Sequence, residues 1–354
     1  MKAVIKRGPD LVVGDIPVPQ PGPGQVLVRT LHCGICGSDL HALNHYDAMI
    51  DAGRRTGLAT GKLDPDADIV FGHEFCAEVV DYGPDTERRI APGTAVCALA
   101  VNFDAQGVEG VGYSNRYNGA FAEYFILTES LLLPVTNGLP TDVAALTEPM
   151  AVAVHAVAKA DTSDSAYLVV GCGPIGLAII IELKSRGLGP VVAADFEPER
   201  RALAERLGAD IVVDPASSDP HGHWEAFGIP TGLMDLAAAG GKARRAVIFE
   251  CVGAPGVLNN IICAAPPAAQ VIVAGVCMSP DRIEPMIANN KEIDLRFTMA
   301  YSGEEFAETL HRLCEGQLDA APMITGTTGL DGVPDAFQQL AQAPRHAKIM
   351  VCPC

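Results

Sequence analysis

Long hydrophobic runs are missing from this sequence, basic residues are few, and repeats are absent; each shortage removes a class of function. No apolar stretch approaches the ~20 residues that a bilayer-spanning helix needs. Lys and Arg number 25 against 43 Asp and Glu, a net charge of −18, and so acidic a surface repels phosphate backbones and anionic headgroups. Neither nucleic acid nor a membrane is therefore an expected partner. The opening MKAVIKRGPDLVV offers too short an apolar stretch, broken by Lys6 and Arg7, for a secretory leader, and the expected location is cytoplasmic. Charged residues are only 19% of the chain against 49% hydrophobic, the reverse of a disordered composition. The eleven cysteines do not read as a disulfide framework, since Cys76, Cys172, Cys251, Cys263 and Cys277 sit in apolar contexts that suit reduced thiols. The one biased segment, Pro17 to Pro23, reads as an extended connector.

A chain of 354 residues is long enough for two domains. Residues 1 to about 150 read as short strands punctuated by turns. Met1 to Ile5 is apolar, PGPG from Pro21 is a turn, Val26 and Val28 begin an alternating strand, and Phe75 to Tyr82 and Gly119 to Leu127 supply two more. From Ser165 the period changes. Tyr167 to Val170 feeds a Gly-rich turn and an apolar helix from Pro174 to about Arg186, and Val191 to Ala194 is followed by a helix from Glu197 to Leu207 that Gly208 stops. Strands beginning at Val212, Val247, Val271 and Ile293 complete a six-stranded parallel sheet. Ala216 to Ala243 is irregular, with one or two short helices. The tail carries a helical pattern from Phe306 to Leu313 and a terminal strand, Lys348 to Cys352, expected to return to the first domain.

GCGPIG, from Gly171 to Gly176, is the most specific motif. Gly171 permits the tight turn, Gly173 lets the backbone approach a pyrophosphate, and Gly176 lets the helix pack on the strand, with Pro174 and Ile175 between them. Asp195 closes the next strand at the spacing of about 20 residues where a carboxylate reads the ribose 2′-OH, which favours NAD. Arg200 and Arg201 keep NADP open, because an arginine there can pair with a 2′-phosphate.

A second constellation precedes it. Cys36 stands with Ser38, Asp39 and His41 in GICGSDLH, His73 and Glu74 form the core of FGHE, and Glu148 with Pro149 occurs where the first domain ends. Cysteine, histidine and carboxylate are the donors of an open catalytic zinc site, although a lone Cys or His is as readily a packed core residue.

GICGSDLH, GHE, the EP of LTEPMAVAVHA and GCGPIG occur in an order, across nearly the whole chain, that resembles the zinc-dependent medium-chain alcohol dehydrogenases, near their sorbitol and threonine dehydrogenase branch. The resemblance implies an α/β protein with a GroES-like β-rich catalytic domain at 1–151 and 299–354, a Rossmann doubly wound domain at 152–298, and an active site in the cleft between them. It implies zinc ligands at Cys36, His73 and Glu148, with Glu74 as a fourth or exchanging ligand. It extends the cofactor contacts to Val252, Ala274, Gly275, Val276 and Tyr301, and it implies a homodimer or homotetramer.

Two departures from the family pattern stand out. Between Cys97 and Tyr117, where relatives often hold a structural zinc on four cysteines, only Cys97 is present, so one catalytic zinc and no structural zinc is expected. The interval from Cys36 to His73 is also longer than in most relatives. Its extra residues, about Asn44 to Asp68, must leave and return near the metal. They are expected either to form a lid with Tyr46, Met49 and Ile50 as an apolar wall and Gly53, Gly57 and Gly61 as hinges, or to be a surface or subunit-contact loop.

The expected reaction moves a hydride between a secondary alcohol or polyol, or the matching ketone, and NAD. Ser38 takes the alcohol proton and passes it by way of the cofactor ribose to His41, unless His41 is only a surface residue, while Asp39 ties down the ligand loop. The competing readings are a metal-free NADPH quinone or enoyl reductase of the same fold and a non-enzymatic NAD-binding protein; the substrate itself is not legible.

Overall fold

The computed structural model describes residues 1–240, 243–342 and 346–353. The chain divides into two compact units, the first made of Met1–Glu148, Phe306–Gln317 and Ile324–Cys354, the second of Pro149–Glu305 and Leu318–Met323. Among the described residues no helix is long and apolar enough to cross a membrane.

The first unit opens with a hairpin, β1 (Lys2–Arg7) and β2 (Asp10–Asp15), followed by the long strand β3 (Gln25–Gly34). Two helices come next, α1 (Gly37–Asn44) and α2 (Tyr46–Thr56), then β4 (Glu74–Tyr82) and β5 (Ala95–Cys97). A second hairpin, β6 (Val101–Asp104) and β7 (Gly107–Gly110), precedes β8 (Tyr124–Thr128), β9 (Leu133–Pro134), α3 (Thr141–Ala144) and α4 (Thr147–Ala158). Only Tyr124 onward is strand in the stretch read as Gly119 to Leu127; before it, Ala122 makes a single bridge to Ala3.

In the second unit the glycine signature lies between β10 (Ser165–Val170) and α5 (Pro174–Ser185). After β11 (Val191–Ala194), α6 (Pro198–Arg206) and β12 (Ile211–Val213), the irregular stretch holds two 3₁₀ turns and α7 (Leu233–Ala238); residues 241–242 of it lie outside the described residues. Then come β13 (Arg245–Glu250), α8 (Val257–Ala264), β14 (Gln270–Val273), α9 (Pro285–Asn290) and β15 (Asp294–Phe297). All six strands are parallel, in the order β12-β11-β10-β13-β14-β15, the doubly wound order of a dinucleotide fold. Every residue of β11 and β14 is buried, which is why these strands read as unbroken apolar runs instead of alternating ones.

Helix α10 (Gly303–Cys314) leads to β16 (Ile324–Thr328), α11 (Val333–Gln342) and β17 (Lys348–Val351). Strand β17 pairs antiparallel with β3, so the tail closes the first unit's seven-stranded sheet, in which β16, β17, β3, β4, β5 and β9 follow one another and β8 pairs with β3. Its core packs Val26 and Val28 of β3 with Phe75, Val79, Phe121, Phe125 and Val351, and the rings of Phe75 and Phe125 meet edge to face at 4.8 Å.

The interval between Cys36 and His73 belongs to this core. Tyr46 and Ile50 of α2 are buried in it, Met49 packs at its margin, and the Lys6 ammonium sits 3.8 Å above the Tyr46 ring. A Cβ on Gly53 would come within 2.4 Å of Gly61 N, and one on Gly61 within 2.5 Å of Arg54 N. These glycines therefore permit close packing of the following turn on the helix, and the expected apolar wall of a lid is instead an inward-facing stripe.

Candidate active site

Cys36 follows the end of β3 and stands at the N-cap of α1, where its N–H donates to Asp39 Oδ2 at 3.0 Å. A carboxylate at N3 reaching back to the cap satisfies an otherwise orphaned donor and suits the positive end of the helix. Ser38, Asp39 and His41 are thereby fixed on the first turns of one short helix. His73 is delivered from the other side by Gly72, whose φ of +102° and whose approach to Phe121 and Ala120 admit no side chain. Strand β4 begins at the next residue, Glu74.

One donor atom from each of Cys36, His73 and Glu74 lies within 4.8 Å of the others. A thiolate, an imidazole and a carboxylate brought together in this way fit zinc. His73 Nε2 is 3.5 Å from Ser38 Oγ, while its Nδ1 is 3.3 Å from Asp39 Oδ1, close enough for charge attraction though not aligned as a hydrogen bond. Asp39 is fully buried, and a carboxylate behind a ligating histidine orients the ring and sharpens its basicity. Burial pushes the Cys36 thiol up, with the Glu74 charge adding to it and His73 opposing. Burial lowers the His73 pKa, but Asp39 and Cys36 outweigh it and leave the imidazole well above its ordinary value.

Glu74 is not free. Both its oxygens accept from the Lys348 ammonium of β17, at 2.7 and 2.6 Å, and Lys348 also donates to Ile35 O at 3.1 Å. The pair is shut from solvent, with side chains 0% and 1% exposed. A Cβ on Gly34 would lie 2.1 Å from Glu74 Oε2, so only glycine leaves room for this carboxylate. Glu148, half-buried in the first turn of α4, is outside the three-residue group, though its charge reaches Lys348. His41 is half-buried, and burial, with His45, lowers its pKa.

Sequence reasoning missed Lys348 and also Tyr113. The Tyr113 hydroxyl is 2.9 Å from Ser38 Oγ and 3.0 Å from Asp39 Oδ1, and its ring lies 5.2 Å from that of His73. Burial and then the Asp39 charge push the phenol well above its ordinary pKa, so it remains an O–H donor. A lysine inside an apolar terminal strand was the available signal for Lys348; nothing local distinguishes Tyr113 from other loop aromatics.

In the second unit the glycine turn has the form that a pyrophosphate requires. Gly171 has φ +94°, a Cβ on Gly176 would lie 1.9 Å from Gly171 O, and Gly173, the N-cap of α5, faces open space with nothing nearer than Arg200 Nη1 at 4.0 Å. Pro174 and Ile175 begin the helix behind it. Asp195 directly follows β11, and its carboxylate accepts from Cys172 N (2.7 Å) and Glu197 N (2.8 Å), with Arg200 Nη1 at 4.0 Å. Arg201 is turned to the Asp195 and Phe196 carbonyls and to Asp214.

At the end of β13 the buried Glu250 carboxylate accepts from Val252 N (2.7 Å) and Gly253 N (2.8 Å), and a Cβ on Gly275 would lie 2.5 Å from its other oxygen. The Val252 loop and the Ala274, Gly275, Val276 loop are thus braced against each other, leaving Val252 and Val276 45% and 57% exposed at the strand ends. Tyr301 is half-buried, a few residues after β15.

Comparison with known proteins adds to this geometry. The model of the zinc-binding dehydrogenase family matches residues 174–315, and that of the alcohol dehydrogenase GroES-like domain matches residues 22–137. The chain is similar to L-threonine 3-dehydrogenase of Rhizobium rhizogenes, 29% identical over 96% of this chain and 95% of that protein. It is 30% identical to (R,R)-butanediol dehydrogenase of Bacillus subtilis over 97% of each. The solved structure of 2R,3R-butanediol dehydrogenase from Bacillus subtilis superposes with a TM-score of 0.78 at 27% identity, covering 100% of this chain and 99% of that one.

Proposed function

This chain belongs to the zinc-dependent medium-chain alcohol dehydrogenase family, an oxidoreductase of alcohols and ketones, and from that premise we propose that it uses one zinc and NAD to interconvert a secondary alcohol and its ketone. The observation that carries the reading is the convergence of Cys36, His73 and Glu74 beside the Ser38 hydroxyl. When bound, zinc supplies Lewis acidity for an alcohol oxygen and NAD supplies the hydride acceptor. The alcohol loses a hydride from carbon and a proton from oxygen, giving ketone, NADH and a proton.

Cys36 and His73 are the proposed metal ligands. Because Lys348 occupies both oxygens of Glu74, that carboxylate is held in reserve, and a further ligand comes from Glu74 or Glu148. Asp39 holds His73 in orientation. Ser38 takes the alcohol proton, and His41, three positions along the same helix and so on the same face, is the group that hands it toward solvent. Gly171, Gly173, Pro174, Ile175 and Gly176 receive the pyrophosphate, Asp195 the ribose, and Val252, Ala274, Gly275, Val276 and Tyr301 the nicotinamide end. Arg200 lies beside the glycine turn and adds charge for the phosphates. NAD is preferred over NADP because the Asp195 carboxylate repels a 2′-phosphate. The cysteine content between Cys97 and Tyr117 supports a single metal.

The relatives' names describe oxidation at L-threonine C3 and of (R,R)-butanediol, both secondary alcohols flanked by a polar group, and a vicinally substituted secondary alcohol is the substrate class proposed here. A homodimer or homotetramer is supported by β15, an edge strand of the parallel sheet that ends in Phe297 and is followed by Met299, 65% and 67% exposed. The test is NAD reduction by zinc-loaded protein over a panel of vicinal diols, amino alcohols and simple secondary alcohols, with Cys36→Ser beside it. Turnover of at least one vicinal substrate, abolished in Cys36→Ser while NAD still binds, is expected. Full activity in Cys36→Ser would overturn the assignment.

A further inference from the structure

Tyr113 comes from a segment pinned on both sides. Before it, Val111 N donates to Ala100 O at 2.8 Å, and Gly112, with φ +81°, lies against Gly72, the residue that delivers His73. After it, Ser114 Oγ donates to Glu109 of β7 at 2.8 Å, Arg116 bridges Glu109 and Asp104 of the β6–β7 hairpin, and Tyr117 Oη donates to Asp104 at 2.6 Å. This is the stretch that contains only Cys97 of the cysteines a structural zinc would need. A polar network holds it in place and presents one phenol to the metal-ligand helix.

The hydroxyl has one proton and two neighbours. Asp39, an acceptor only, takes it at 3.0 Å, so the Tyr113 oxygen is left with its lone pairs toward Ser38 Oγ at 2.9 Å. The Ser38 O–H then points at Tyr113, and the lone pairs of Ser38 face away from it. A serine hydroxyl otherwise rotates freely, and a fixed rotor is what a proton acceptor needs before substrate arrives.

We propose that Tyr113 is a positioning residue for the reaction: held by Asp39, its hydroxyl fixes the resting Ser38 hydroxyl with a lone pair free to receive the alcohol proton, and as that proton arrives Ser38 releases its own from Tyr113 to the relay that ends at His41. The inference rests on the reading of Ser38 given above. Tyr113→Phe keeps the ring beside His73 and removes only the hydroxyl, so packing is retained while the bonds to Ser38 and Asp39 are lost together, and the Ser38→Ala background separates the two.

The experiment is a double-mutant cycle of Tyr113→Phe and Ser38→Ala in zinc-loaded enzyme, with kcat and KM for an alcohol substrate, zinc per chain and NAD affinity measured for each. Tyr113→Phe is expected to lower kcat about 10- to 100-fold, the usual effect of losing an outer-shell partner, with zinc and NAD affinity retained. In the Ser38→Ala background the same change is expected to add less than about twofold, because the group it orients is gone. Equal losses in both backgrounds, kcat within about twofold of wild type, or zinc lost in step with kcat would each overturn the inference. An active wild type with an unaffected Ser38→Ala would instead remove Ser38 from the reaction, and Tyr113 with it; a wild type inactive on every alcohol would count against the functional reading itself.

Discussion

Lys348→Met tests the buried pair that ties the terminal strand to the start of β4, beside Cys36 and His73. Lys348 and Glu74 are 0% and 1% exposed and joined by two contacts of 2.6 and 2.7 Å. Burial opposes the Lys348 charge, but Glu74 and Cys36 more than offset it and leave the ammonium raised. Without the lysine, Glu74 is a buried carboxylate with no cation, and breaking one side of a buried pair costs about 3–5 kcal/mol. Ile35 O also loses a donor, a loss of about 1 kcal/mol within that total.

Urea unfolding of zinc-stripped protein, in which no bound cation compensates Glu74, is followed by far-UV ellipticity at pH 7. Fluorescence of Trp224, the sequence's single tryptophan, reports the second unit in parallel. Glu74→Gln combined with Lys348→Met should recover most of the loss, since neither charge then remains. A penalty below about 1 kcal/mol at pH 7, or a double variant that recovers none of it, refutes the reasoning.

Asp195→Ser should weaken NAD and narrow the preference over NADP, read as the ratio of kcat/KM values; a wild type that already prefers NADP contradicts the role given to this carboxylate. Ile50→Ala should cost about 2–5 kcal/mol of stability with substrate range unchanged, because the side chain is 2% exposed in the core; an altered range with stability intact would restore the lid. The Asp104 carboxyl is held below its ordinary value chiefly by the Tyr117 hydroxyl, with Gln106 N and Arg116 assisting against burial. Its stabilising contribution is therefore present above the unfolded value of about 3.9 and lost as pH falls through the lower folded value. Asp104→Asn should flatten that part of the acid-unfolding profile, and an unchanged profile would show that the network around Tyr113 is not held by this charge.

The second unit was the more legible half. Strands β11 and β14 are buried at every position, so they appear as short apolar runs beside a glycine signature, and their limits were read to within a residue or two. Helix α2 shows the opposite case. Tyr46, Met49, Ile50 and Gly53 recur at helical spacing whether the stripe faces a ligand or the protein's own core, and only Lys6 and the packing of Gly53 on Gly61 decide which. The cluster of Cys36, His73 and Glu74 could be picked out because their neighbours in sequence carry the chemistry. Tyr113 and Lys348 could not, since each acquires its role from a partner 75 or 274 residues away.

The most direct test is a zinc titration of the metal-stripped protein with turnover of a vicinal secondary alcohol followed at each addition. Activity should rise linearly from near zero and break at one zinc per chain. Turnover that needs no zinc, or a break at two, would contradict a single catalytic metal held by Cys36 and His73.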